Sequence, residues 1–149
     1  MPTLAAIDVG SNAMRLAIGN VDGDRRLTPV ETIRESVRLG QDAFTQGIIS
    51  EETIEGATEA FVRFRGAIDR YGAKWTKAVA TSALREALNR DMVLDRIAQA
   101  SGIELAVIGA DEEARLIHLA VSDAVGLKNK LAMLVDIGGG STEIRSEER

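Results

Sequence analysis

The chain has 149 residues and a formal net charge of −5, with 45% hydrophobic and 28% charged residues, the balance of a soluble globular domain able to bury a core. It has no cysteine and one histidine, His118, which excludes disulfides, thiolate metal centres and multi-histidine zinc sites. No apolar run reaches the roughly 18 residues that span a bilayer, and the acidic balance argues against a broad nucleic-acid surface. Aromatics make up only 3%, so the core must be built from Ala, Val, Ile and Leu, as in closely packed α/β proteins.

Residues 4–9 form a short apolar run that ends in the turn Asp8-Val9-Gly10-Ser11-Asn12. The apolar pattern resumes over 13–21, and Asp22-Gly23-Asp24 signals a hairpin into a third strand over 27–34. A long helix then follows. Ser50 is its expected N-cap, Ile54, Ala57, Phe61, Phe64, Ile68 and Tyr71 form one apolar stripe, and Gly72 is its stop. Beyond it, strands alternate with helices. Residues 77–80 read as a strand and Thr81-Ser82-Ala83 as a turn into a helix through Leu88, with the hydroxyls available as caps. Asp91 is the expected cap of a helix ending near Gly102, and 104–108 reads as a strand. Asp111 is the expected cap of a helix to about Ala124, and 131–136 reads as a continuous apolar strand before Gly138-Gly139-Gly140. An antiparallel meander followed by crossover units predicts a mixed five-stranded sheet with flanking helices. Asn129-Lys130 is the expected link between a first domain over 1–128 and the start of a second, like domain over 129–149.

Two segments match when superimposed: Ile7-Asp8-Val9-Gly10-Ser11 and Val135-Asp136-Ile137-Gly138-Gly139-Gly140-Ser141. Each is a strand expected to be buried, then an aspartate, then a glycine turn with a hydroxyl residue. Glycines let backbone N–H groups approach an anion, the serine adds a donor, and an aspartate at a strand tip can hold hydrated magnesium. Either turn alone is ordinary. As a pair they suggest a duplicated fold that pinches phosphates between two lobes, the second of which is barely begun, so the sequence reads as a fragment.

Other charged groups admit two readings. Arg15, Arg34, Arg38 and Arg85 lie near turns, where a guanidinium fork suits phosphate oxygens; Arg34 reads more simply as a solvated surface group. Asp111-Glu112-Glu113 opens a helix, where acidic residues complement the dipole or place a proton acceptor at a cleft rim. His118 falls mid-helix, expected at the surface and outside catalysis.

Five motifs resemble the exopolyphosphatase and guanosine-pentaphosphate phosphatase (Ppx/GppA) family. They are Ile7-Asp8-Val9-Gly10-Ser11-Asn12-Ala13-Met14-Arg15-Leu16, Val37-Arg38-Leu39-Gly40, Ala80-Thr81-Ser82-Ala83-Leu84-Arg85-Glu86-Ala87-Leu88-Asn89, Glu112-Glu113-Ala114-Arg115-Leu116-Ile117, and Asp136-Ile137-Gly138-Gly139-Gly140-Ser141-Thr142-Glu143. The resemblance implies the actin-like ATPase (ribonuclease-H-like) architecture, with a catalytic cleft between two lobes and magnesium as cofactor. It implies that Glu113 deprotonates the attacking water and that Asp8, Asp136 and Glu143 hold the metal. Phosphate contacts would come from Gly10, Ser11, Asn12, Arg15, Arg38, Thr81, Ser82, Arg85, Gly138, Gly139, Gly140 and Ser141. The chain departs from the family at Ala13, where a hydroxyl residue is common, at Gly109-Ala110-Asp111, which stands in place of the commoner Ser-Gly-Glu, and in its length.

The implied reaction is removal of the terminal phosphate of inorganic polyphosphate, guanosine pentaphosphate or both, as in the stringent response. An actin-like ATPase or kinase and a non-catalytic alarmone sensor are the alternatives, and the Glu-Glu-Ala-Arg-Leu helix favours the hydrolase. The expected setting is cytoplasmic, since no basic stretch leads into an apolar one, with no nucleic-acid or membrane partner. The full-length protein is expected to be a homodimer, and the 149 residues alone are expected to turn over little, because half the phosphate clamp lies elsewhere.

Overall fold

The computed structural model describes residues 1–24, 26–126, 132–140 and 142–147, with the backbone alone at 143 and 145–147. Strands β1 (Thr3–Val9), β2 (Met14–Val21) and β3 (Leu27–Glu35) form the expected antiparallel meander. Side chains alternate across it: Ile7, Val9, Met14, Leu16 and Ile18 are buried, while Asp8 and Arg15 face out. Asp22 sets the second turn, its carboxylate accepting the Asp24 and Arg26 N–H groups at 2.9 and 2.8 Å. Strands β4 (Trp75–Ala80) and β5 (Leu105–Val107) add in parallel, giving one five-stranded sheet in the order β3-β2-β1-β4-β5.

One sheet face is closed by α2 (Glu51–Tyr71), whose Ile54, Ala57, Phe61, Phe64 and Ile68 are buried, and by α4 (Arg90–Ser101) beside it. Phe61 and Phe64 meet with ring centroids 5.8 Å apart, the fully buried aromatics of a largely aliphatic core among the described residues, with Tyr71 packed at its edge. Ser50 caps α2 as expected, accepting the Thr53 N–H at 3.3 Å, and Gly72 ends it in the left-handed region at φ 62°.

Several boundaries differ from the sequence reading. A helix not anticipated, α1 (Leu39–Gln46), lies between the meander and α2. Its Asp42 carboxylate accepts both the Ser50 N–H at 2.9 Å and the Ser50 hydroxyl at 2.6 Å, tying α1 to the start of α2. Those hydrogen bonds, Ser50's first and Thr53's second, hold the Asp42 carboxyl below its ordinary value. Asp91 does not cap α4; Asn89 stands at its N-cap, with its side chain committed to the Ile49 backbone. Asp111 does not cap α5 (Ala110–Val125) either. Ile108 N–H still bonds Ala80 O at 3.0 Å, so the chain leaves the sheet at Gly109 and the helix starts at once, leaving Asp111 in its first turn. The helix α3 (Ser82–Glu86) is shorter than expected and ends at an extended Ala87.

Strands β6 (Ala132–Ile137) and β7 (Thr142–Glu147) form a separate two-stranded antiparallel sheet. β6 is not buried as its apolar sequence suggested: paired with β7 alone, it leaves Met133, Val135 and Ile137 exposed. The proposed link at Asn129-Lys130 lies outside the described residues. No helix among the described residues is long and apolar enough to cross a membrane.

Removing either ring of the buried pair opens a cavity that small aliphatic neighbours cannot refill. Phe61→Ala is expected to cost about 3–5 kcal/mol in chemical denaturation; a loss below about 1 kcal/mol would mean the core collapses around the gap.

Candidate active site

Parallel pairing of β1 with β4 sets Asp8 beside Val79 and Val9 beside Ala80, so the turns leaving both strands stand at one sheet edge. Gly10 N–H bonds Ala13 O at 3.0 Å to close the first turn, and Thr81 N–H bonds Val9 O at 3.2 Å to join the second to it. The hydroxyls of Ser11 and Ser82 meet at 3.0 Å, both buried. Neither Thr81 nor Ser82 caps α3 with its side chain, so the hydroxyl at 82 serves the contact with Ser11 instead. Gly40 donates its N–H to Ser11 O at 2.8 Å, and a Cβ there would stand 2.7 Å from the Ser11 Cβ. Glycine at 40 is therefore what lets α1 pack directly against the Ser11 turn.

The first turn of α5 delivers Glu113 to the same place. Arg85 bridges the two segments: its Nη1 donates to Ile108 O at 2.8 Å and to Glu113 Oε2 at 3.2 Å. Both side chains are largely enclosed, at 23% and 13% exposure, which makes this the least solvent-screened ion pair among the described residues. In this structure Arg85 thus holds Glu113 rather than standing free for phosphate.

A cavity of about 400 Å³ opens here, lined by Asp8, Gly10, Ser11, Thr81, Ser82, Glu113, Asp136, Gly138 and Gly139. Nine of the residues singled out in the sequence therefore share one cleft, and Asp8 and Glu113 lie along it together. Its other wall is apolar: Val79, Ile108, Leu116, Ile117 and Ala120. Leu116, Ile117 and Ala120 follow Glu113 at helical spacings of three, four and seven, a signal the sequence reading left unused. The second glycine turn abuts the first lobe, where a Cβ on Gly139 would lie 2.5 Å from Asn12 Nδ2 and one on Gly140 would overlap the Phe44 ring.

The remaining sites lie outside the cavity lining. Asn12 and Arg38 border an adjoining groove that shares Gly139 with the cleft. Arg15 stands directly across from Asp8 in the β1–β2 pairing. Ser141 and the Glu143 side chain lie outside the described residues, though the Glu143 backbone pairs opposite Asp136. His118 is half-buried rather than at the surface, its Nε2 lying 3.4 Å from Ser122 Oγ, and it does not line the cavity.

The cleft is electrostatically costly. Loss of hydration between its walls pushes the Asp8 carboxyl above its ordinary value of 3.8; Arg15 opposes the rise and the Asp136 charge adds to it. A cation between the carboxylates would relieve this. Among the described residues no group of three or more potential ligands is assembled; Asp8, Asp136 and Glu113 are the carboxylates that line the cleft. Two carboxylates with phosphate oxygens and water suit magnesium's ligand preference.

The Ppx/GppA phosphatase family model matches residues 18–149. Exopolyphosphatase 1 of Mycobacterium tuberculosis is 31% identical over 143 residues, covering 96% of this chain and 42% of that protein. The guanosine-5'-triphosphate,3'-diphosphate pyrophosphatase of Photobacterium profundum is 33% identical over 144 residues, covering 96% of this chain and 28% of that protein. The crystal structure of an exopolyphosphatase from Cytophaga hutchinsonii superposes with a TM-score of 0.91 at 32% identity, over 97% of this chain and 46% of that one. The chain thus spans less than half the length of these relatives. The architecture is the actin-like ATPase fold, as the motifs implied.

A raised carboxyl pKa means that the folded state holds the Asp8 proton more tightly than the unfolded chain does. Its contribution to stability is therefore lost as pH rises from 3.8 through the raised value, leaving an ionised, destabilising Asp8 at neutral pH. Asp8→Asn is expected to raise the melting temperature at pH 7, with the gain shrinking as pH falls through the raised value and gone below 3.8. A lower melting temperature at pH 7 would show that Arg15 outweighs desolvation.

Proposed function

The chain belongs to the Ppx/GppA phosphatase family, and from that premise we propose that the protein hydrolyses the terminal phosphoanhydride bond of inorganic polyphosphate or guanosine pentaphosphate. The observation that carries this reading is the convergence of Asp8, Glu113 and Asp136 on one cleft walled by two glycine turns. The relatives named for polyphosphate and for the guanosine nucleotide support the two substrates equally, so both stand in the proposal.

Glu113 is the proton acceptor. Its helix N-terminus and the Arg85 contact at 3.2 Å fix where the carboxylate points. A water oxygen attacks the terminal phosphorus, and the bond from that phosphorus to its bridging oxygen breaks. The water proton passes to Glu113, orthophosphate forms, and the chain leaves one phosphate shorter with the electron pair on its new terminal oxygen. N–H groups of the turns at Ser11 and at Gly138-Gly139 supply donors toward phosphate oxygens, while the Gly10 N–H closes its own turn on Ala13 O. Asp8 and Asp136 would hold a magnesium ion, which when bound neutralises charge on the phosphates. The apolar wall from α5 limits the water that reaches the reacting atoms.

The test uses the complete protein. Phosphate release from long-chain polyphosphate and from guanosine pentaphosphate should depend on magnesium and fall about a hundred- to ten-thousand-fold in Glu113→Gln. Binding without turnover in the unaltered protein would instead identify a sensor. Magnesium should also raise the melting temperature at pH 7 in the unaltered protein and do so much less in Asp8→Asn; an equal rise in both would place the metal elsewhere.

A further inference from the structure

We infer that the groove beside the cleft, carrying Arg34 and Arg38, is the track for the phosphates behind the scissile bond, and that Arg34 sets how strongly the protein distinguishes long phosphate chains from short ones. The inference rests on the phosphohydrolase reading and extends it to the rest of the substrate. The groove is lined by Arg34, Ser36, Arg38, Gln41, Phe44 and Thr45, and it joins the cleft at Gly139, with Asn12 on the boundary.

Charge is segregated between the two compartments. The cleft is lined by three carboxylates and no lysine or arginine; the groove is lined by two arginines and no carboxylate. In a chain of net charge −5 this is a local reversal of sign, placed where a polyanion leaving the cleft would next arrive. Among the described residues neither arginine is in an ion pair, whereas six other arginines are neutralised by carboxylates.

The sheet register explains how Arg34 comes to be there. Asp8 lies opposite Arg15, and Arg15 lies opposite Arg34, so the three residues form one row across β1, β2 and β3. Directly opposed residues share a face; Arg15 already faces the Asp8 carboxylate, which leaves Arg34 as the guanidinium of the row with no carboxylate opposite it. Arg34 Nη1 donates to Ser36 Oγ at 2.9 Å, which steadies the group while leaving most of its donors unused. The polar neighbours Ser36, Gln41 and Thr45 add neutral donors, and Phe44 closes one side. A terminal phosphate held near Asp8 and Glu113 then has its chain running past Gly139 and Asn12 into a surface of the opposite sign.

Calorimetric titration of the complete protein tests this with three probes: long-chain inorganic polyphosphate, pyrophosphate and guanosine pentaphosphate. Arg34→Gln should weaken long-chain polyphosphate about tenfold, the effect of losing one charge-assisted contact, flatten the salt dependence of binding, and change pyrophosphate affinity less than twofold. Arg34→Lys keeps the charge and should recover most of the salt dependence. A parallel weakening of guanosine pentaphosphate assigns the groove to both substrates, and its absence assigns the groove to inorganic chains. Unchanged long-chain binding in Arg34→Gln, or an equal loss for pyrophosphate, overturns the inference. The two readings fail separately. If the unaltered protein releases no phosphate but Arg34→Gln selectively weakens long-chain binding, hydrolysis falls and the polyanion track stands. If phosphate is released and chain length is not discriminated, the reverse holds.

Discussion

A phosphate chain can enter a cleft bearing three carboxylates only if the sign of the local field is reversed there. That constraint organises the site. The chain is acidic overall, and Asp8 already sits above its ordinary pKa because it is partly desolvated and, secondarily, because of the Asp136 charge. Donors must therefore be supplied piecewise: N–H groups from glycine turns that carry no side chain, a divalent ion in the proposed chemistry, and arginines in the adjoining groove. In the proposed chemistry, separating the signs by a short distance lets the cleft favour a cation and proton transfer while the adjoining groove receives the anion.

Such a site functions only if its parts hold their spacing, and a continuous chain of contacts reaches from the core to do this. The buried face of α2 anchors its N-terminus, where Ser50 bonds Asp42 of α1. Two residues earlier in α1, Gly40 bonds Ser11 O, and Ser11 in turn meets Ser82 at the start of α3. Arg85, one helical turn on, reaches Ile108 and Glu113. The steps that cross between elements are hydrogen bonds, from Asp42–Ser50, eight residues apart, to Ser11–Ser82, 71 apart. Most are at least partly shielded from water, where an unmade bond leaves a donor or acceptor at a cost of about 1–3 kcal/mol. The turns are thus more tightly specified than surface loops of similar composition.

How much of this was legible in the sequence depended on whether the signal was local. The stripe from Ile54 to Ile68, with Ser50 and Gly72 at its ends, described α2 almost completely because periodicity and caps are short-range properties. The meander was equally plain. By contrast α1 has eight residues, too few to display a period, and its polar Asp42 is buried only because Ser50 lies next to it; the left-handed Gly47 at its end was the available clue. Asp91 and Asp111 looked like caps by type, but the true starts were set by where the neighbouring chain segments ended. The convergence of Asp8, Glu113 and Asp136 was anticipated from the duplicated turn and from motif order. The Arg85–Glu113 contact was not, since nothing local links residues 28 apart. Arg34 was read as a solvated surface group and is exposed; that its cross-strand neighbour is Arg15 could come only from the register.

The same apolar wall that helps the site also strains it. Leu116, Ile117 and Ala120 lie on the face of α5 that carries Glu113, and no residue of that helix is fully buried. Their placement therefore contributes less to a core than to lowering the polarizability of the cleft beside the carboxylates. In such surroundings a fixed charge acts more strongly on a phosphate than it does in water. The cost falls on any carboxylate that must stay ionised there without a cation, and Asp8 bears it. Replacing the wall with polar residues would relax Asp8 and weaken the field together, so the two effects cannot be tuned apart by changing α5 alone. The row Asp8–Arg15–Arg34 offers a second control. Arg15 offsets part of the Asp8 penalty from outside the cleft lining, so the carboxylate is stabilised without a cationic side chain entering the space proposed for the phosphate.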